Sequence, residues 1–165
     1  MQIPYRKPGQ FSNTTPDPQI TRDKFNELQS KLNHLKKIRP QAAADVATLA
    51  ELGDFSENAE YQMAKGRLRG INNNILRLEH QINQAQVIEP PQHTSAVALG
   101  HKVTIEHNGD KKTYLILGSA ETSPEAGIIS HHSPIGAALL DRQVGDKVKI
   151  KLANREMEYK IIAIE

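Results

Sequence analysis

Two long runs of apolar residues at steps of three and four, separated by the turn-like segment "GDFS", constrain this chain more than any other feature. The first run is Phe25, Leu28, Leu32, Leu35, Ile38, Ala42, Val46, Leu49 and Leu52. The second is Tyr61, Ala64, Leu68, Ile71, Ile75, Leu78, Ile82 and Ala85. Such spacing lays one apolar stripe along a helix, and the unbroken alternation of the second run is a heptad seam. Helices of roughly 30 residues reach about 45 Å at ~1.5 Å per residue. A connection of about four residues forces them antiparallel. Thr21 is placed to cap the first helix and Gly53 to end it. Pro40 lies inside it, where a lost N–H and a crowded preceding turn predict a kink near Arg39. The stripe resumes beyond Pro40, which favours a kink over a stop.

The pattern changes at both ends of this hairpin. Residues 1–20 carry Pro4, Pro8, Pro16 and Pro18 among polar residues, and read as a flexible tail. Val87, Ile88, Glu89, Pro90 and Pro91 end the helical signal, and residues 90–96 read as a linker. From about residue 97 the period becomes two. "KVTIEH" (Lys102–His107), the turn "NGD" and Lys112–Leu117 predict a β-hairpin, because Asn-Gly supplies the positive φ of a tight turn. "GIIS" adds a short strand. "SPIGAALLD" reads as a short helix capped by Ser133 with Pro134 at its first position. "DKVKIKL" and "EMEYKIIAI" pair through "ANR". The fold class is therefore α followed by α+β: an antiparallel coiled-coil hairpin at 21–89, then a small β-rich domain with one short helix at 97–165.

Composition bounds the function. In 165 residues the formal net charge is +2, from 21 Lys and Arg against 19 Asp and Glu. That is too little for a general nucleic-acid binder, so any such contact has to be local and held by a protein partner. With no cysteine, disulfides, thiolate metal sites and thiol catalysis are excluded. No apolar run resembles a signal peptide or a membrane span, so the expectation is a cytoplasmic protein without membrane contact.

The segment joining the helices holds two carboxylates, Asp54 and Glu57. Asp54 with Glu57 three residues on forms a capping-box pattern, and Ser56 is a second candidate cap. Negative charge at a helix N-terminus stabilises it by ~0.3–1 kcal/mol. The same two carboxylates, far out on a thin hairpin, are hard oxygen ligands suited to Mg²⁺. They form a useful site only where a second macromolecule supplies further ligands. Lys65, Arg67 and Arg69 follow on the second helix. Positions 65 and 69 share a face and 67 is displaced by about 200°, so they are either a solvated surface or a small phosphate-attracting patch. His131 and His132 are adjacent, and neighbours on a strand point to opposite faces, which argues against a metal pair.

"GDFSENAEYQMAKGRLRGI" with "INQAQVIEP", and "SHHSPIGAALLDRQVGDKVKI" further on, resemble the bacterial transcript-cleavage factors GreA and GreB, with GreA the nearer on "SENAEY" and the small basic patch. The resemblance covers about residues 21–165. It implies a monomeric accessory protein, not itself an enzyme. Its hairpin enters the secondary channel of a backtracked bacterial RNA polymerase and meets the extruded RNA 3′ end. In that setting Asp54 and Glu57 help hold a Mg²⁺ shared with the polymerase, none being bound stably by the chain alone. The polymerase then cleaves its own transcript. The resemblance assigns Phe55, Ser56, Asn58, Glu60 and Tyr61 to support of the tip, and Lys65, Arg67 and Arg69 to RNA. The second domain resembles the family's FKBP-like docking module, with His132, Ser133, Pro134 and Ile135 at the polymerase contact. His132 stands where some members carry an acidic residue. Two other readings stay open: a family member that blocks the channel, and a coiled-coil adaptor or chaperone. The intact tip carboxylates argue against the first, and the second domain against the second.

Overall fold

The computed structural model describes residues 17–51, 59–89, 91, 93–152 and 155–165. Strand β1 (Gln19–Thr21) leads into helix α1 (Arg22–Glu51), and helix α2 (Ala59–Gln84) leads into strand β2 (Gln86–Ile88). The Thr21 hydroxyl accepts from the Lys24 N–H at 3.2 Å, so this residue caps α1. Helix α1 continues through Pro40 without a break. Pro40 is exposed, where water solvates the carbonyl that its missing N–H leaves unpaired.

Cross-helix contacts give the direction of packing. Lys36 pairs with Glu79 at 2.7 Å, and Arg39 Nε donates to Asn72 Oδ1 at 2.8 Å. Position rises on α1 as it falls on α2, so the helices are antiparallel. Glu51 and Ala59 therefore lie at the same end of the pair. Between them Leu28, Leu32, Ala42, Ile71, Ile75 and Leu78 are buried, flanked by half-buried Phe25, Leu35, Leu68, Ile82 and Ala85. Ile38 departs from the expected stripe and is 36% exposed. A stripe read as a 3.5-residue repeat drifts by about 20° per heptad on a 3.6-residue helix, which leaves Ile38 at the edge of the seam.

The tail assignment needs correction at its end. Residues 17–20 are ordered: β1 pairs in parallel with β2 in the register Gln19–Gln86, Ile20–Val87 and Thr21–Ile88, and Ile20 is buried beside Leu28 and Leu32. Residues 1–16 lie outside the described residues.

The second domain is a five-stranded sheet in the order β5-β4-β3-β7-β6. It comprises β3 (Lys102–His107), β4 (Asp110–Leu117), β5 (Ile128–Ser130), β6 (Lys147–Leu152) and β7 (Arg155–Ile164), with helix α3 (Pro134–Leu139) before β6. Asn108 and Gly109 take φ of 51° and 89° at the β3–β4 turn, the double positive φ that the Asn-Gly pair favours. The Ser133 hydroxyl accepts from the Gly136 N–H at 3.0 Å and caps α3. Val97, Val103, Ile105, Ile116, Leu139, Ile150 and Ile161 close a single core. Ala153 and Asn154, in the β6–β7 connection, lie outside the described residues.

The two domains meet at the hairpin base. A Cβ on Gly118, just after β4, would stand 1.8 Å from the Gln19 carbonyl oxygen, so only glycine allows β1 to lie this close. The Thr21 N–H donates to Glu121 at 2.7 Å, and its hydroxyl to the other carboxylate oxygen at 2.5 Å. Thr21 thus caps α1 and ties that helix to the second domain at once.

Candidate functional site

The expected site residues fall in three places. Asp54, Phe55, Ser56, Glu57 and Asn58 lie outside the described residues, as does Gly53. The described ends that flank them, Glu51 and Ala59, are carried to one end of the hairpin by some 26–30 residues of helix, about 40–45 Å at ~1.5 Å per residue. The other end holds β1, β2 and the second domain. Glu51 and Ala59 are therefore separated from the domain core by nearly the length of a helix.

Glu60 and Tyr61 open α2, Glu60 exposed and Tyr61 half-buried. The Lys65 ammonium sits 5.8 Å from the centre of the Tyr61 ring, a cation–π contact of about 0.5–1 kcal/mol at an exposed site. Lys65, Arg67 and Arg69 are all exposed. Arg67 borders a cleft between the helices together with Asp45, Thr48, Leu49, Glu60, Met63 and Ala64. Lys65 and Arg69, four residues apart, share another face. The three cations are thus spread around α2 beyond the flanking end and do not share one face.

The third group lies on the turn after β5. His132 and Pro134 are exposed, whereas Ser133 is half-buried as the cap of α3 and Ile135 packs against the domain core. A surface contact here has to use His132 and Pro134 more than Ile135.

This turn also overturns the argument against the histidine pair. His131 and His132 follow β5 and are not strand neighbours. Their rings lie 3.8 Å apart between centroids, tilted by 40°, and both approach Asp17 Oδ2, His131 Nδ1 at 3.5 Å and His132 Nε2 at 4.0 Å. Burial is the strongest single influence on Asp17 and opposes its ionisation. The Ser119 and Gln19 N–H groups, the Ser119 hydroxyl and the charge of His131 outweigh it together and hold the carboxyl below its ordinary value. Sequence reasoning missed this joint, and also the Thr21–Glu121 contact, because its partners stand about a hundred residues apart and share no motif.

Two family models match the chain in succession. Residues 18–87 match "Transcription elongation factor, N-terminal" and residues 92–165 match "Transcription elongation factor, GreA/GreB, C-term". Transcription elongation factor GreA of Macrococcus caseolyticus is 37% identical over 149 residues, covering 88% of this chain and 94% of that protein. GreA of Chloroflexus aggregans is 38% identical, with 88% and 95% covered, and GreA of Treponema pallidum 34%, with 88% and 92% covered. The chain belongs to the GreA/GreB family of transcription elongation factors. Among solved structures, GreA factor homolog 1 (Gfh1) of Thermus thermophilus aligns over 90% of this chain and 99% of that one, at 24% identity and a TM-score of 0.42. Membership in the family removes the adaptor unrelated to transcription. No helix among the described residues is long and apolar enough to cross a membrane.

Proposed function

We propose that this elongation factor acts in the cytoplasm by passing its hairpin, turn first, into the secondary channel of RNA polymerase, and that it stimulates the polymerase's own cleavage of backtracked RNA. The observation that supports this is the geometry of the hairpin: two antiparallel helices carry Glu51 and Ala59, the described residues that flank the segment with Asp54 and Glu57 in sequence, to the end remote from the second domain. A probe of this shape reaches a buried site while its domain stays outside, docked through the turn at His132, Ser133 and Pro134.

The donor chemistry at the turn fits Mg²⁺. Two carboxylates are hard oxygen ligands, and Mg²⁺ takes one or two of them while retaining several waters. They are too few to bind it firmly alone, so the remaining ligands come from the polymerase. A second Mg²⁺ in a phosphodiester site generates the nucleophile or supports the leaving oxygen. Asp54 and Glu57 contribute negative charge and lone pairs at the place where that ion is needed, and Ser56 is near enough in sequence to orient a water. Lys65 and Arg69 on one face of α2, with Arg67 on another, attract the phosphates of the extruded 3′ end. On this reading the chain is an accessory to the enzyme, and the hydrolytic machinery is the polymerase's.

The test uses a complex stalled and backtracked on a labelled transcript. Adding the protein with Mg²⁺ should speed release of short 3′ fragments. Asp54→Asn with Glu57→Gln should keep polymerase binding and lower stimulation by on the order of 100-fold or more, the scale of losing a pre-positioned charge-stabilising group. Binding without release by the unaltered chain would make it a blocker of the channel. Unchanged release by the double variant would remove the metal role of the turn.

A further inference from the structure

We propose that Asp17, His131 and His132 form a binding site for a zinc-class divalent ion that clamps the start of the hairpin to the second domain. One ligand atom from each residue, Asp17 Oδ2, His131 Nδ1 and His132 Nε2, lies within 4.8 Å of the other two. Four-coordinate Zn²⁺ with bonds of ~2.0–2.1 Å separates its ligands by roughly 3.4 Å. The two distances from Asp17 Oδ2, 3.5 and 4.0 Å, need only small closure. The side chains that would have to be fixed are fixed, and the one that has to move is free to do so. Asp17 is 5% exposed and His131 11%, whereas His132 is 68% exposed.

The surroundings hold the pocket in shape. Asp17 Oδ2 accepts from the Ser119 N–H at 2.8 Å and from the Ser119 hydroxyl at 3.1 Å, and Oδ1 accepts from the Gln19 N–H at 3.1 Å. The turn is pinned by His131 N–H to the Leu117 carbonyl at 3.0 Å, by His132 N–H to the Ser130 hydroxyl at 3.1 Å and by Ser133 N–H to the Ser130 carbonyl at 2.9 Å. His131 Nδ1 also lies 3.3 Å from the Leu117 carbonyl, so an ion there requires the tautomer with its proton on Nε2. Outer hydrogen bonds of this kind orient metal ligands and are worth 10–100-fold in affinity. Two imidazoles with one carboxylate select Zn²⁺ and its neighbours over Mg²⁺, and the open side at His132 leaves the fourth position to water. This site is separate from the hairpin turn, and it does not rest on the polymerase reading.

The experiment takes the untagged full chain, stripped with EDTA and desalted, and titrates it with Zn²⁺ by calorimetry and with Co²⁺ by visible absorption. The expected result is saturable binding of one ion per chain with the intense Co²⁺ bands of a four-coordinate site. His132→Ala, a change at an exposed side chain, should weaken binding at least tenfold, and so should Asp17→Asn. His34→Ala, which alters an exposed histidine of α1, and the Asp54→Asn, Glu57→Gln double variant should bind as the unaltered chain does. No saturable binding up to roughly 100 μM Zn²⁺, or equal binding by His132→Ala, would overturn the proposal and leave the cluster as a carboxylate–imidazole contact only.

Discussion

Along the hairpin the buried side chains lie one layer deep, in a seam between two helices whose outer faces are solvated. In the second domain β3, β4, β6, β7 and α3 close around Val103, Ile105, Ile116, Leu139, Ile150 and Ile161, which are essentially inaccessible. The same hydrophobic chemistry serves both, but a seam spreads its stabilisation along a length and a closed core concentrates it. That difference suits a seam to reach and a core to anchorage. It also means that damage is felt differently in each. Ile161→Ala should cost about 4 kcal/mol, near the upper part of the range for a core cavity, and Leu32→Ala about 2–3 kcal/mol because a two-helix seam collapses more easily on the space left. Urea unfolding of the two variants measures the contrast, and equal costs would break it.

Pro40 offers a second way to sharpen the contrast. It sits at an exposed position of α1, where it removes a helix hydrogen bond. Pro40→Ala should stabilise the chain by about 2 kcal/mol, the cost of an interior proline less the entropy it removes from the unfolded chain. The gain should appear in the unfolding of the hairpin, followed by helical circular dichroism, and not in amide exchange of β3 and β7. If exchange in the sheet slowed equally, the two regions would be one cooperative unit.

Much of each region was legible because its period is long enough to read. Eight apolar positions at helical spacing in α1 and seven in α2 mark the helices, and alternation around an Asn-Gly turn marks β3 and β4. The acidic pair Asp54 and Glu57 stands out as a motif, which as residues alone serves a cap as well as a metal, and it lies outside the described residues. The joint between the regions was not legible. Strands β1 and β2 have three residues each, too short to show any period. What holds them is tertiary: Gly118 against Gln19, Glu121 on Thr21, and Asp17 under two histidines. The rule that strand neighbours point to opposite faces does not hold for His131 and His132, because β5 ends at Ser130.

The Thr21–Glu121 contact tests whether the regions are coupled at all. Thr21→Val keeps the volume and removes the cap and the hydroxyl's bond to Glu121, leaving the N–H bond in place. It should cost about 1–2 kcal/mol, the sum expected for a lost cap and a part-buried charged hydrogen bond. Glu121→Gln keeps the cap and should cost less. By urea unfolding, the cost of Glu121→Gln reads the link between domains, and the excess cost of Thr21→Val reads chiefly the cap. A null result for Glu121→Gln would make the contact incidental to their association.

The smallest effect expected is the pH dependence of the same joint, which Asp17 carries. Its carboxyl titrates below its ordinary value of 3.8 in the folded chain, so the unfolded chain binds the proton more readily. The stabilisation is therefore fully present above about pH 4, and it is lost as the pH falls through 3.8 toward the lower folded value. Other carboxylates move in the same direction: Glu27, held by Lys31 and Lys24, is depressed to about 2, and Glu158 is lowered by Lys147. A bare acid titration of stability thus does not isolate Asp17. The pH dependence of its difference from Asp17→Asn does, since that variant keeps both histidines and the other carboxylates; it removes one ionisation and one acceptor oxygen, and the lost acceptor adds an offset that does not vary with pH. Measured in EDTA, the stability difference between the unaltered chain and Asp17→Asn should be constant from pH 6 to about 4.5 and shrink below pH 4. A difference that stayed constant down to pH 3 would mean that the charge of Asp17 contributes nothing to the joint. Its contacts with Ser119 and Gln19 would then hold β1 equally well whether or not the carboxyl is protonated.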